Sequence, residues 1–204
     1  MIINAVGRDR LGIVSDMTKC VTDVGGNVGE SQAAKIGSHF SLVMLISVPG
    51  GKIDSLSDQL KNMSDMNANL YVLDNLSQPE PSKIGCTFLT NYEIQPIFFA
   101  FFLSSSLAAS KLTDTGLFTL EGADNPGLVH KVTTILSENG LSIDKMSTSD
   151  EIAPHGGTVL FKMQGTAHAY EPLAAGFNVA KIKEELVTLG HNLNCDINME
   201  DVED

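Results

Sequence analysis

Two stretches of this chain place the same residue types at the same spacing. Gly7-Arg8-Asp9-Arg10-Leu11-Gly12-Ile13-Val14 returns as Gly122-Ala123-Asp124-Asn125-Pro126-Gly127-Leu128-Val129, at an offset of 115 residues. The shared pattern, G-x-D-x-x-G-[IL]-V, reads as the end of a strand turning into the start of a helix. A glycine there permits a tight turn and a close approach of backbone to a ligand. The first N–H groups of the helix have no internal partner and carry partial positive charge, so they suit a carboxylate. Asp9 or Asp124 can cap the helix or accept a ligand ammonium. The candidate ligand contacts are therefore Asp9, Gly12, Ile13 and Val14 in copy one, with Asn27 as a side-chain partner. In copy two they are Asp124, Asn125, Gly127, Leu128 and Val129, and this loop, with its proline-fixed turn, is the stronger candidate. Capping and tight turning would explain either loop alone; two copies in one register raise the signal.

Other chemistry finds little support. The histidines His39, His130, His155, His168 and His191 form no metal spacing with one another or with cysteine. No Ser or Cys sits in a nucleophile elbow. Acylphosphatases share the element order argued below, but copy two has no equivalent of Arg8 or Arg10 for a phosphate. We expect no catalytic residue, no metal, no cofactor and no enzyme.

The elements around the loops follow the same repeat. Leu11, Val14, Met17, Val21 and Val24 recur at helical spacing, and Gly25-Gly26 stops that helix. Leu128, Val132, Ile135 and Leu136 repeat the stripe, which ends at Asn139-Gly140. Asp124 or Asn125 is the expected N-cap, and Pro126 suits the first turn. Strands are expected over 27–36 and 40–48 around Gly37-Ser38, and over 141–149 and 158–164 around a Gly-rich loop containing His155. Second helices carry Leu56, Leu60 and Met63, and Val179, Ile182, Leu186 and Leu189, the latter capped at Gly190. Last strands run over 69–73 and 192–199. The order per copy is strand, helix, strand, strand, helix, strand. The fold class is α+β: two ferredoxin-like βαββαβ domains in tandem, each a four-stranded antiparallel sheet with two helices on one face. The sheets should be separate. Each bare sheet face should be covered by the other copy or a second chain, burying Val43, Leu45, Val159 or Phe161.

The domains span 1–74 and 115–202, with 75–114 as a linker. Gln78-Pro79-Glu80-Pro81-Ser82 is a linker signal. The run from Ile97 to Ser110, with Phe98, Phe99, Phe101 and Phe102, is too short to span a bilayer. It is a packed linker element, an anchor, or a segment foreign to the fold such as a retained intron.

Composition narrows the partners. Thirteen basic residues face 25 acidic ones, a net charge of −12, which argues against direct nucleic-acid binding and against anionic membranes. The three cysteines, Cys20, Cys86 and Cys195, suggest free thiols in a reducing compartment. No signal peptide is evident, so a cytoplasmic protein is expected, or an organellar one if a targeting segment is missing.

The D-x-P-G turn at Asp124–Gly127, its degenerate copy at Asp9–Gly12 and the run Gly25-Gly26-Asn27-Val28 resemble ACT domains. The tandem arrangement is similar to the glycine cleavage system transcriptional repressor family, over about 1–73 and 116–202. The resemblance implies amino-acid binding between ACT domains, through the first loop and the start of the second strand. Copy one departs with Arg10-Leu11, and copy two with Leu141-Ser142 in place of Gly26-Asn27, so the two sites can differ. The expected function is a regulatory sensor of an amino acid or similar metabolite that modulates a partner enzyme or regulator, as a homodimer. The alternative is a ligand-free structural adaptor for a partner enzyme.

Overall fold

The computed structural model describes residues 1–73, 114–152, 159–170 and 172–201. The linker and its apolar run, Cys86, the loop with His155 and the acidic end after residue 201 lie outside the described residues. Two βαββαβ units follow one another. The first is β1 (Ile2–Arg8), α1 (Ile13–Asp23), β2 (Asn27–Ile36), β3 (His39–Ser47), α2 (Ile53–Lys61) and β4 (Met66–Tyr71). The second is β5 (Asp114–Gly122), α3 (Leu128–Glu138), β6 (Leu141–Ile152), β7 (Val159–Ala169), α4 (Val179–Leu193) and β8 (Cys195–Asp201).

The two sheets are not separate. They form one eight-stranded sheet, β4-β1-β3-β2-β6-β7-β5-β8, with the halves joined where β2 pairs antiparallel with β6. Each edge strand carries unpaired backbone groups, and pairing the two edges satisfies both. The ladder runs from Ser31↔Thr148 to Ala34↔Lys145. Ser31 Oγ lies 2.8 Å from Thr148 Oγ1, which donates to Gly29 O at 2.6 Å. Helices α1 and α3 meet across the seam: Ser15 Oγ lies 2.9 Å from Thr134 Oγ1, and Thr18 Oγ1 lies 3.2 Å from His130 Nδ1. His130 is therefore a packing residue between helices.

Alternation along the strands sends Ile3, Ala5, Phe40, Leu42, Met44, Phe118, Leu120, Phe161 and Met163 to one buried layer. Phe161 is thus buried within its own unit, not by a partner copy. Val43 and Leu45 point to the opposite face and remain 41% and 40% exposed. The copies touch through edges and helices rather than through sheet faces, so neither copy covers the other's sheet face. The Val159 side chain lies outside the described residues.

The first glycine of the repeated motif has a packing reason. A Cβ on Gly7 would lie 2.2 Å from Asp65 O, and one on Gly122 would lie 2.6 Å from Cys195 Cα. Strands β1 and β5 therefore press directly on the start of the last strand of their unit. Gly190 is not a cap. It lies inside α4, where a Cβ would meet Cys195 O at 2.5 Å, and the helix ends at Asn194 with φ 53°. The α1 and α3 helices end as expected, with Gly25 and Gly140 in the left-handed region.

Candidate functional site

Each motif loop closes on a second glycine with positive φ, Gly12 at 77° and Gly127 at 76°, and this glycine is the N-cap. Neither Asp124 nor Asn125 caps α3, because the loop turns once more before the helix begins. Pro126 accordingly precedes the cap. Asn125 instead donates through Nδ2 to Leu193 O at 2.8 Å and to Ala123 O at 3.1 Å, tying the loop to the end of α4. The side chains of Ile13, Val14, Leu128 and Val129 are buried in the core, so these residues can offer a ligand only backbone.

The copy-two loop faces the start of β2. Asn27 Nδ2 donates to both carboxylate oxygens of Asp124, at 3.2 and 3.1 Å, while Asn27 Oδ1 accepts from Gly127 N–H at 3.2 Å. Asn27 thus works with the copy-two loop, across the seam, and not with Gly12 of its own copy. Loop and strand are brought together by the β2–β6 pairing that puts the units side by side.

The copy-one loop faces the start of β6, where Ser142 takes the place of Asn27. Gly12, Ile13 and Val14 line a small crevice with Thr133, Ser137 and Leu141, of about 10 Å³, room for one water. The Asp9 side chain is 7% exposed. Its Oδ2 accepts from Lys35 Nζ at 2.9 Å and from the Tyr170 hydroxyl at 3.4 Å, and its Oδ1 is buried with no partner among the described residues. Lys35 also bonds the Tyr170 hydroxyl and lies 4.8 Å over the Tyr170 ring. Burial opposes the Lys35 charge, but the bonds to Tyr170 and Asp9 outweigh it and hold the ammonium above its ordinary pKa. Tyr170 packs edge-on against His168, whose Nδ1 lies 2.6 Å from Asp144 Oδ2. Sequence reasoning missed Lys35, Asp144, His168 and Tyr170. The β7 strand was expected to stop at residue 164, and only its continuation to Ala169 brings His168 and Tyr170 to the loop.

Arg10 bonds Asp65 and lies 2.7 Å from Asp16. It is committed to loop structure rather than to a phosphate. The hydrogen bond to Arg10 holds the Asp65 carboxyl below its ordinary value. A carboxylate with a depressed folded pKa stabilises the fold above its unfolded pKa, near 4, and loses that contribution as pH falls through the folded value. Asp65→Asn should therefore lower stability at pH 7 by under about 1 kcal/mol, because the pair is part-exposed. The gap to the parent should close below about pH 4 in urea melts at stepped pH. A gap that widens on acidification would exclude this role for the pair.

Among the described residues no group of His, Cys, Asp and Glu could hold a metal, and no helix is long and apolar enough to cross a membrane. Cys20 and Cys195 are free, and burial raises both thiol pKa values.

Comparison with known proteins agrees with the architecture. The ACT domain family model matches residues 1–71. The glycine cleavage system transcriptional repressor of Escherichia coli (strain K12) is 20% identical over 196 residues, 96% of this chain and 86% of the relative. A protein described only as unknown, from Galdieria sulphuraria, is 21% identical, with a TM-score of 0.40 over 99% of this chain and 97% of that one. Aspartate kinase from Synechocystis shares the fold over 97% of this chain and 28% of its own, at 18% identity and a TM-score of 0.51. An ACT domain is matched at residues 1–71, the second unit repeats the same motif and topology, and the chain as a whole is similar to glycine cleavage system transcriptional repressors.

Proposed function

We propose that this protein, with residues 1–74 and 115–202 as its two ACT units, is a regulatory sensor that binds a free α-amino acid at the seams between them. The observation that carries the reading is the Asn27 carboxamide. It presents an acceptor oxygen to Gly127 N–H and a donor nitrogen to the Asp124 carboxylate. An α-amino acid offers the same pair, a carboxylate and an ammonium, with full charges. A ligand carboxylate would turn the neutral Gly127 bond into a charge-assisted one, and a ligand ammonium would give Asp124 an ion pair in place of an amide donor, so a ligand can displace the neutral amide. Asn27 then turns aside at the start of β2, the strand that joins the two halves. Asp9, Gly12 and Ser142 form the second seam, with the buried Asp9 oxygen available to an ammonium.

The response reaches a partner enzyme or regulator by protein contact, since the net charge of −12 disfavours nucleic acid. The relationship to a transcriptional repressor supports a regulatory role.

The test is thermal unfolding with each common amino acid. A ligand at a hundredfold excess over its Kd adds about 2.7 kcal/mol. For a chain of this size that raises Tm by roughly 5–10 °C. Gly127→Val and Asp124→Asn, both folded by circular dichroism, should lose most of that shift, and Gly12→Val reports the other seam. Valine at φ 76° forces the loop to move, because a β-branched residue rarely adopts it. A parent with no shift from any amino acid would leave the adaptor reading standing. A shift unaffected by all three variants would move the site away from the loops.

A further inference from the structure

We propose that Lys35 is a tethered competitor at the copy-one seam: it already supplies Asp9 with an ammonium, so the copy-two seam takes the first amino acid and the copy-one seam fills only when a ligand displaces Lys35. The inference rests on the amino-acid reading of the two seams. It adds the order in which they fill and the residue that sets that order.

The two motif carboxylates stand in opposite conditions. Asp124 is exposed and is held by the neutral Asn27 amide. The Asp9 side chain is 7% exposed, and Lys35 Nζ lies 2.9 Å from its Oδ2. The Tyr170 hydroxyl accepts from Lys35 and donates to Asp9, and the Lys35 ammonium lies 4.8 Å from the centre of the Tyr170 ring. Asp9 Oδ1 is buried without a partner among the described residues, so this carboxylate keeps one oxygen for a further donor.

The duplication shows that the fold does not require this arrangement. Lys35 lies opposite Phe40, which lies opposite Gly7; Asp150 lies opposite Phe161, which lies opposite Gly122. Asp150 therefore holds the position of Lys35 in the second unit, and a carboxylate there cannot neutralise Asp124. Counted on along the same register, Tyr170 corresponds to Pro49, which has neither a hydroxyl nor an aromatic ring.

Ligand exchange at the two seams differs accordingly. At the copy-two seam a ligand ammonium replaces an amide, and Asp124 gains an ion pair. At the copy-one seam it replaces another ammonium, so no ion pair is gained and the Lys35 contacts with Tyr170 are lost. A ligand ammonium on Asp9 Oδ1 with Lys35 still in place puts two cations on one carboxylate, at a buried site where their repulsion is poorly screened. The crevice beside Gly12, with room for one water, gives a ligand carboxylate no seat until the seam parts. Loss of the cation–π contact and its hydrogen bond weakens the copy-one seam by about tenfold or more.

Isothermal titration of the full chain with each common L-amino acid tests the order. The parent should take one molecule per chain, then a second at least about tenfold more weakly or beyond the titrated range. Lys35→Gln gives Asp9 a neutral amide, as Asn27 gives Asp124, and should strengthen the second event at least about tenfold. Tyr170→Phe removes the hydroxyl and keeps the ion pair, so it should strengthen that event by a smaller factor. It also carries the test if Lys35→Gln does not fold, as judged by near-ultraviolet dichroism. Asp124→Asn should remove the first event. Two equal events in the parent, a first event that survives Asp124→Asn, or a second event unchanged in both Lys35→Gln and Tyr170→Phe overturns the order of filling while the amino-acid reading stands. An absence of binding in the parent and in every variant overturns both.

Discussion

Gly122→Ala is expected to cost roughly 3–5 kcal/mol of unfolding free energy, more than any other single methyl added to the motif loops. The added Cβ would lie 2.4 Å from Cys195 Cβ, 2.6 Å from Cys195 Cα and 3.1 Å from Asn194 O. Two of those atoms are backbone, so no rotamer change relieves the contact, and Cys195→Gly should not rescue it. The sheet must open between β5 and β8, or α4 must shift with β8. Gly127→Ala is the control. Its Cβ would meet only Thr22 Cγ2, at 3.5 Å, and its cost is the positive φ, about 1–2 kcal/mol. Urea melts should rank the two variants in that order, with Gly7→Ala close to Gly122→Ala because it faces the same contact at Asp65 and Met66. Equal effects at positions 122 and 127 would show that backbone conformation, rather than strand contact, explains both motif glycines.

Much of this was readable from the chain. The 115-residue repeat gave both units, and the helical stripes at Leu11–Val24 and Leu128–Leu136 located α1 and α3 because half-buried helices must repeat every 3.6 residues. Other features left no local mark. Periodicity reports the faces of a strand and not its edges, so nothing in 27–36 or 141–152 announced that β2 would pair with β6. The partner of Asn27 was misplaced for the same reason, since that side chain crosses the seam to Asp124. The capping rule favours Asp and Asn, but it competes here with a glycine that turns the chain into the helix, and the glycine prevails at both loops. Gly190 resembled a stop signal, yet its missing side chain serves close packing of α4 on β8. The cluster of Asp9, Lys35, Tyr170 and His168 joins residues up to 161 apart in sequence, and only the folded seam collects them.

Met146→Asp should lower stability by about 3–5 kcal/mol and turn one unfolding transition into two. Met146 is 2% exposed and sits at the seam, opposite Ala33 of β2 and Gly165 of β7. A carboxylate there would be buried with no cation among its ladder neighbours. The seam is also where the halves are most easily parted, because only four residue pairs, from Ser31↔Thr148 to Ala34↔Lys145, join β2 to β6. Each half alone has a thin core, since a domain of roughly 80 residues buries only about 60% of its chain surface. The halves therefore depend on each other, and the parent should unfold in one step, with near-ultraviolet dichroism and calorimetry coincident. Opening the seam removes the β2–β6 ladder and exposes the facing sides of α1 and α3, where Ser15, Thr18, Thr133 and His130 lose their partners. The half carrying position 146 should melt first, and the first unit should follow at higher temperature. Binding offers a second reading of the same variant. Asn27 and Asp124 belong to different halves, so an amino-acid ligand that bridges them should bind far more weakly once the seam is open. Loss of about 1 kcal/mol with a single transition would mean that the α1–α3 contact, rather than the shared sheet, couples the two units.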